Sequence, residues 1–353
     1  MISKATLTLD WLKKVSFQNK NADLILVEKV IRALFLLEGL VETKLQFVFK
    51  GGTALMLHLN SSKRLSIDID IVMHEQINLQ PFFDKIASEK EFVRAEEQER
   101  HANYNIEKAH YKFYYIPLYK TAQEEEYVLL DVLFEQQKYT TLVALPVDSV
   151  FVAHEGQPLN VNVPSLNDLL GDKLTAFAPN TTGIPYVKAG VSKAMEIIKQ
   201  LYDVGNLFDL ADSIEIISST FEKFALTELG YREMGKDWIA VLDDIYHTSL
   251  LISTRGQDGK GNLEALQLGL RQIKGYIFSE SYNIEKAIIH ASKAAYLSVL
   301  IRRKETNIEK FGDPLEMATW IIKQPFNTKI NKLKKSNPEA FFYWYKIVLL
   351  EKK

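Results

Sequence analysis

A glycine pair and a pair of aspartates lie close together in this sequence, and together they suggest phosphate chemistry. Gly51-Gly52-Thr53 follows a short apolar run, and Asp68 and Asp70 lie two residues apart in the next one. Side chains two apart in a strand point to the same face, so both carboxylates are expected together. Glycines at a helix start let backbone N–H groups approach a phosphate, and the helix N-terminus favours anions. Because Mg²⁺ binds carboxylates and substrate phosphates, this stretch predicts metal-assisted transfer of a nucleotidyl or phosphoryl group.

Asp131 is the third acid of interest, because it lies inside the apolar run from Val128 to Phe134. An unpaired carboxylate is costly to bury, so its side chain either faces solvent or has a basic partner. A third interpretation places its strand beside that of Asp68 and Asp70. The three carboxylates would then hold one or two divalent ions and deprotonate an attacking hydroxyl.

Each of these features has a simpler explanation when it is taken alone. Gly51-Gly52 fits a structural turn before a helix, since glycine adopts unusual backbone dihedrals. The pair matches neither the P-loop nor the Rossmann glycine pattern. Acids are also common at strand ends. The specific signal is the combination, in which Gly-Gly-Thr follows a strand and an acid pair opens the next strand after one helix.

Hydrophobic periodicity predicts the elements that position these residues. The first half is predicted to contain a helix over 22–40 that Gly39 ends, a strand over 46–50, a helix over 52–60, a strand over 66–73 and a helix from Pro81 to Lys90. Residues 91–119 look extended and are expected to form a hairpin with a strand over 127–134. From Ser165 onward the apolar spacing is almost entirely helical. We therefore expect a mixed α/β domain over 1–164 and a helical domain over 165–353.

Composition limits the class of protein. The chain has 353 residues, of which 47% are hydrophobic and 25% charged, with a net charge of −2 and no cysteine. The lack of cysteine excludes disulfides and thiolate metal sites. The small net charge means that any contact with a polyanion must come from local patches. The N-terminal residues lack a signal-peptide core and no apolar run is long enough to span a bilayer, so we expect a cytoplasmic protein with no membrane partner.

The motifs resemble the AbiEii family, the toxin half of abortive-infection toxin–antitoxin systems, within the polymerase-β-like nucleotidyltransferase superfamily. The shared pattern is Gly-Gly-Thr-Ala-Leu from Gly51, followed by Arg-x-Ser-x-Asp-x-Asp from Arg64 to Asp70. The resemblance covers residues 45–210. It implies an α/β (α+β) fold, in which a polymerase-β-like nucleotidyltransferase domain with a mixed sheet precedes a mainly α-helical C-terminal domain.

The resemblance also implies roles for the acids. Asp68 and Asp70 would bind Mg²⁺ (or Mn²⁺) and the triphosphate, and Asp131 would complete the metal site or act as a base.

Nucleotide-binding roles are implied for the residues around these acids. Gly51, Gly52 and Thr53 would present backbone and hydroxyl donors to the terminal phosphates. Arg64 would contact phosphate or simply cap a loop. Ser66 shares the face of the acids, so it would lie near the substrate or be hydrogen-bonded locally.

The second half resembles the family as well. Lys173 would place a point charge on the triphosphate, and a solvated helix lysine is the alternative. Asp203 would orient Lys173 or contact the nucleotide. The family commonly has a basic residue next to this acid, whereas here Lys199 and Asp203 are four apart, which also fits an ordinary helical ion pair. Asp209 is therefore a rival for Asp203.

The predicted activity is Mg²⁺-dependent transfer of NMP from a nucleoside triphosphate to an acceptor, with loss of pyrophosphate. By resemblance, the acceptor would be RNA, such as a tRNA 3′ end, or a protein hydroxyl, and a DNA-binding antitoxin would be the partner. The alternatives are a housekeeping or antibiotic-modifying nucleotidyltransferase and a non-catalytic nucleotide-binding protein. The basic stretch from Lys329 to Lys335 is either an RNA-contact patch or a solvated helix face.

Overall fold

The computed structural model describes residues 1–59, 63–98, 108–119 and 122–352. The chain divides into two compact units. The first unit contains Met1–Ser165 together with the segment Gly275–Ser281, and the second contains Leu166–Lys274 and Tyr282–Lys353. The return of Gly275–Ser281 to the first unit was not apparent from the sequence.

The first unit is built on a five-stranded mixed sheet with helices. Its strands are β1 (Val48–Lys50), β2 (Ile69–Met73), β3 (Arg94–Glu97), β4 (Lys108–Tyr115) and β5 (Glu126–Phe134), and a separate two-stranded sheet contains β6 (Leu142–Pro146) and β7 (Asn160–Pro164). Its helices are α1 (Leu9–Gln18), α2 (Leu24–Glu42), α3 (Gly51–Leu59) and α4 (Gln80–Glu89).

The strand order in the large sheet is β1-β2-β5-β4-β3. β2 and β5 are parallel neighbours, and the other neighbouring pairs are antiparallel. β4 and β5 are antiparallel neighbours, as the predicted hairpin requires, although residues 99–107 of the predicted extended stretch lie outside the described residues. The predicted α/β class with a mixed sheet is confirmed.

One face of this sheet forms the core of the first unit. Burial alternates along β4 and β5, which is the period-two pattern of a strand with one covered face. From α4, the Phe83 ring packs edge-on against the rings of Tyr111 and Phe113, at centroid distances of 4.6 and 5.4 Å. The opposite face is only partly covered, and it holds the candidate site.

Gly39 does not end α2, contrary to the sequence prediction. The helix continues to Glu42, and a Cβ placed on Gly39 would lie 2.8 Å from the Cγ2 of Ile86. The glycine therefore allows α4 to approach α2 closely. Its role is packing rather than chain reversal.

The second unit is mainly helical, as predicted. It contains α5 (Leu166–Ala176), α6 (Ala194–Leu210), α7 (Ile214–Tyr231), α8 (Ile239–Ser253), α9 (Leu263–Gln272), α10 (Ile284–Arg303), α11 (Leu333–Ser336) and α12 (Pro338–Lys352), with a short hairpin of β8 (Val187–Lys188) and β9 (Val191–Ser192). Among the helices of the described residues, none combines the length and the hydropathy that crossing a membrane requires.

Candidate active site

Four charged or titratable residues form one row across the open face of the large sheet. In the strand register, Lys50 of β1 lies opposite Asp70 of β2, and Asp70 lies opposite Asp131 of β5. Asp131 in turn lies opposite His110 of β4. Residues directly opposite on neighbouring strands point to the same face, and the strands are about 4.8 Å apart. The row therefore places Asp70 and Asp131 on the same face of two neighbouring strands.

The row lies on the open face because its neighbours along each strand are buried. Ile69, Ile71, Leu130 and Val132 are at most 1% exposed, whereas all four row residues are partly exposed. This explains why Asp131 is tolerated inside an apolar strand. Its side chain is 40% exposed, and its partner is the imidazole of His110 rather than an arginine or lysine.

Gly51 is needed because the side chain of Asp70 occupies the space beside it. Gly51 has φ +83°, a conformation that favours glycine, and it begins α3 directly after β1. A Cβ on Gly51 would overlap the Oδ2 of Asp70 and lie 3.1 Å from its Cγ. The carboxylate of Asp70 therefore lies beside the first residue of α3, at the end of the helix that favours negative charge.

Gly52 leaves room for two polar side chains, as Gly51 does for Asp70. A Cβ on Gly52 would lie 2.6 Å from the Oγ of Ser66 and 2.7 Å from the Nη2 of Arg64. Arg64 is 8% exposed, and its Nη1 donates to the carbonyl of Leu65 at 3.1 Å. The structure therefore brings Gly51, Gly52, Arg64, Ser66 and Asp70 together at one helix start.

Thr53 differs from the expectation that its hydroxyl would face a phosphate. Its side chain is fully buried, and Oγ1 donates to the backbone carbonyl of Asp68 at 2.7 Å. This hydrogen bond links the first turn of α3 to the residue just before β2. Asp68 is exposed and precedes the strand, which begins at Ile69, so the strand periodicity applies to Asp70 but not to Asp68.

The loop that carries Arg64 is held by the segment Gly275–Ser281. The N–H of Leu65 donates to the carbonyl of Tyr276 at 2.8 Å, and the Oγ of Ser279 donates to the carbonyl of Lys63 at 2.7 Å. These contacts fix the backbone on both sides of Arg64. They come from a part of the chain that local sequence patterns could not connect to the site.

The far end of α3 is anchored by a histidine. Nε2 of His58 lies 2.7 Å from the carbonyl of Pro164, so the ring donates to it. Burial lowers the pKa of His58 below its usual 6.5, and this hydrogen bond opposes that shift. The helix that presents Gly51 and Gly52 is thus fixed at both ends.

Lys173 and Asp203 form a buried ion pair within the second unit. Nζ of Lys173, in α5, lies 3.0 Å from Oδ2 of Asp203, in α6, and the two side chains are 9% and 1% exposed. Asp209 instead pairs with Lys293 at 2.7 Å, and its side chain is 49% exposed. Of the two rival acids, Asp203 is therefore the one in contact with Lys173.

The open face has the donor chemistry for a magnesium ion. Within the residues that the structure describes, no group of three or more histidine, aspartate or glutamate side chains is arranged to hold a metal by itself. Mg²⁺, however, is usually bound by one or two carboxylates plus substrate phosphates. Asp70 and Asp131, which share one face on neighbouring strands, fit that arrangement, with Asp68 close by in the chain.

Sequence reasoning missed His110 and Lys50. Nδ1 of His110 lies 2.6 Å from Oδ1 of Asp131, and its side chain is 15% exposed. The alternation of His110, Lys112 and Tyr114 with buried residues does place His110 on the open face. Only the strand register, however, could identify Asp131 as its neighbour.

Comparison with known proteins gives one family match. The model of the nucleotidyl transferase AbiEii toxin family, a type IV toxin–antitoxin system, matches residues 34–265. The resemblance inferred from the sequence motifs is thereby confirmed. A search of curated proteins found no significant match.

Two solved structures are similar at low identity. One is MenT4, a nucleotidyltransferase toxin from Mycobacterium tuberculosis H37Rv, with 11% identity and a TM-score of 0.42, covering 94% of this chain and 97% of that one. The other is an antigenic nucleotidyltransferase-like protein from Paracoccidioides brasiliensis, with 16% identity and a TM-score of 0.32, covering 58% of this chain and 94% of that one. At these TM-scores neither structure bears on the fold or the site.

Proposed function

Because the chain belongs to the AbiEii family of nucleotidyltransferase toxins, we propose that it transfers NMP from a nucleoside triphosphate to an acceptor hydroxyl in a Mg²⁺-dependent reaction. Nucleotidyltransferase activity follows from the family. We propose in addition which metal is used, what each site residue does and what the acceptor is. The observation that carries it is the pairing of Asp70 with Asp131 on the open face, beside the glycine-rich start of α3.

The acids have distinct roles in this proposal. Asp68 and Asp70 would hold Mg²⁺, which when bound supplies charge neutralisation for the triphosphate and the departing pyrophosphate. Asp131 would complete the metal site or accept the proton of the acceptor hydroxyl. In the reaction, the hydroxyl oxygen bonds to the α-phosphorus and the bond from that phosphorus to pyrophosphate breaks.

The start of α3 would bind the terminal phosphates. Gly51, Gly52 and Thr53 lie in the first turn of α3, where backbone N–H groups have no partner within the helix and favour phosphate. The guanidinium of Arg64 and the hydroxyl of Ser66 lie against Gly52, where they would add charge and a further donor. Thr53 would bind phosphate through its backbone N–H, since its hydroxyl donates to the carbonyl of Asp68.

Lys173 and Asp203 stay predicted nucleotide-contacting residues of the second unit. Lys173 would supply a point charge for phosphate, and Asp203 would position it through the ion pair described above.

The biological role follows the family. The chain would act as the toxin of a toxin–antitoxin pair, with a DNA-binding antitoxin as its partner, and its acceptor would be an RNA 3′ end such as that of tRNA, or a protein hydroxyl.

The test is transfer of label from each α-³²P nucleoside triphosphate in the presence of Mg²⁺ and total tRNA. The site variant is Asp68→Ala/Asp70→Ala, and the matched control is Asp10→Ala, which removes an exposed acid of α1. Label on RNA or on the protein that is lost in the site variant and survives in the control supports the proposal. A chelator should abolish transfer, and added Mg²⁺ or Mn²⁺ should restore it. Equal labelling by the site variant would refute the proposed roles.

A further inference from the structure

Within the described part of the chain, His110 is the one residue whose side chain is hydrogen-bonded to the Asp131 carboxylate. Nδ1 of the ring lies 2.6 Å from Oδ1 of the carboxylate. The other oxygen, Oδ2, has no hydrogen-bond partner among the described residues. The two carboxylate oxygens of Asp131 are therefore not equivalent, because one is bound to the protein and the other is open.

This contact determines the tautomer of His110. A carboxylate oxygen in its ionised form only accepts hydrogen bonds, so a neutral imidazole in this contact carries its hydrogen on Nδ1. A hydrogen bond to an ionised acceptor is shorter and stronger than a neutral one, and the 2.6 Å separation fits that description. It restrains the rotation of the carboxylate about its own side-chain torsions.

The hydrogen bond is not needed to hold the strands together. β4 and β5 pair continuously from Lys108 opposite Leu133 to Tyr115 opposite Glu126, so backbone bonds on both sides of His110 already fix the hairpin. On the buried face, the neighbouring residues Ala109 and Tyr111 pack in the core. The contact instead acts on the side chain of Asp131, which the backbone pairing does not hold in place.

We infer that His110 is a positioning residue for nucleotidyl transfer, which holds Oδ1 of Asp131 through its Nδ1–H so that Oδ2 is presented to the substrates. The inference rests on the proposed function, in which Asp131 contacts the metal or the acceptor hydroxyl. Groups that orient a metal ligand or a base in this way typically contribute about 10- to 100-fold to activity.

The first measurement needs no substrate. Nitrogen-15 NMR of the histidine rings in the full chain should show His110 as the Nδ1–H tautomer, and Asp131→Ala should change that signal. An Nε2–H tautomer in the unchanged protein would overturn the inference, and so would a His110 signal that is the same in Asp131→Ala.

The second measurement compares two substitutions of His110 in the labelled transfer assay. Asparagine places an amide N–H close to the position of Nδ1, whereas leucine keeps bulk without a donor. We expect His110→Leu to lower kcat by about 10- to 100-fold with little change in KM for the triphosphate. His110→Asn should retain most of the kcat of the unchanged protein. His74→Asn, at an exposed histidine just after β2, is the matched control.

A double substitution separates positioning from a structural role. Once Asp131 is changed to alanine, adding His110→Leu should lower the rate no further, because the residue acts only through that carboxylate. Additive losses, or an unchanged rate in His110→Leu, would overturn the inference while leaving the proposed function intact. Absence of any transfer by the unchanged chain would overturn the proposed function and, with it, this inference.

Discussion

Replacing Gly51 by alanine tests whether Asp70 lies where the site requires it. Gly51 has φ +83°, and an alanine there adopts a left-handed conformation that costs about 1–2 kcal/mol. The new methyl group would also overlap the Oδ2 of Asp70 and lie 3.1 Å from Cγ and 3.3 Å from Cβ. Because the whole Asp70 side chain is this close, the carboxylate must rotate out of its row.

Gly156→Ala is the matched control for backbone strain. Gly156 lies in the same unit with φ +81°, and a Cβ there would meet nothing within 4 Å. Backbone strain should therefore cost both variants about 1–2 kcal/mol of unfolding free energy, and the overlap with Asp70 should add to the loss in Gly51→Ala. That loss lowers Tm by roughly 2–4 °C for each kcal/mol in a protein region of this size.

Activity should separate the two variants. A displacement of about 1 Å at a reacting group costs on the order of 100-fold in rate, so Gly51→Ala should lose about that much transfer activity. Gly156→Ala should retain the rate of the unchanged protein. The assay is labelled-nucleotide transfer at a temperature well below both melting transitions. Equal transfer rates for the two variants would refute the placement of Asp70 against Gly51.

Three further predictions concern the packing around the site and in the second unit. Lys173→Met should lower the free energy of unfolding by about 3–5 kcal/mol, because the buried carboxylate of Asp203 loses the ammonium beside it. Adding Asp203→Leu should recover most of that loss, and urea denaturation that shows no such recovery would contradict the pairing. Thr53→Val should cost about 1 kcal/mol, since the carbonyl of Asp68 loses its donor, and an unchanged urea midpoint would argue against that bond. His58→Gln should reduce the pH dependence of stability while keeping a donor. Burial lowers the pKa of His58 from 6.5, so as the pH falls the unfolded chain binds the proton first. Its contribution is present above about pH 6.5 and is lost as the pH falls through the folded pKa, so urea midpoints at about pH 8 and about pH 5 should differ less in the variant.

Local patterns in the sequence determined the elements of the site. The apolar periodicity predicted the helix that becomes α2, the strand that becomes β5 and the helix that starts at the glycine pair. The motif from Gly51 to Asp70 also identified the family. These features are readable because backbone geometry fixes which side chains within one element share a face. Gly39 shows the limit of such local reading, because its packing role depends on Ile86 in another helix.

Only the tertiary structure decided which elements meet. β5 lies between β2 and β4, so Asp131 lies between Asp70 and His110, and no spacing within the sequence specifies that order. The hydrogen bond from the Thr53 hydroxyl to the carbonyl of Asp68 could not be predicted from the sequence either. Strand order and register are set by the free energy of burying the whole core and pairing its backbone, since a slip of one residue would turn every side chain to the other face. The sequence by itself therefore determined the chemistry that is available, and the assembled sheet decided which groups can act together.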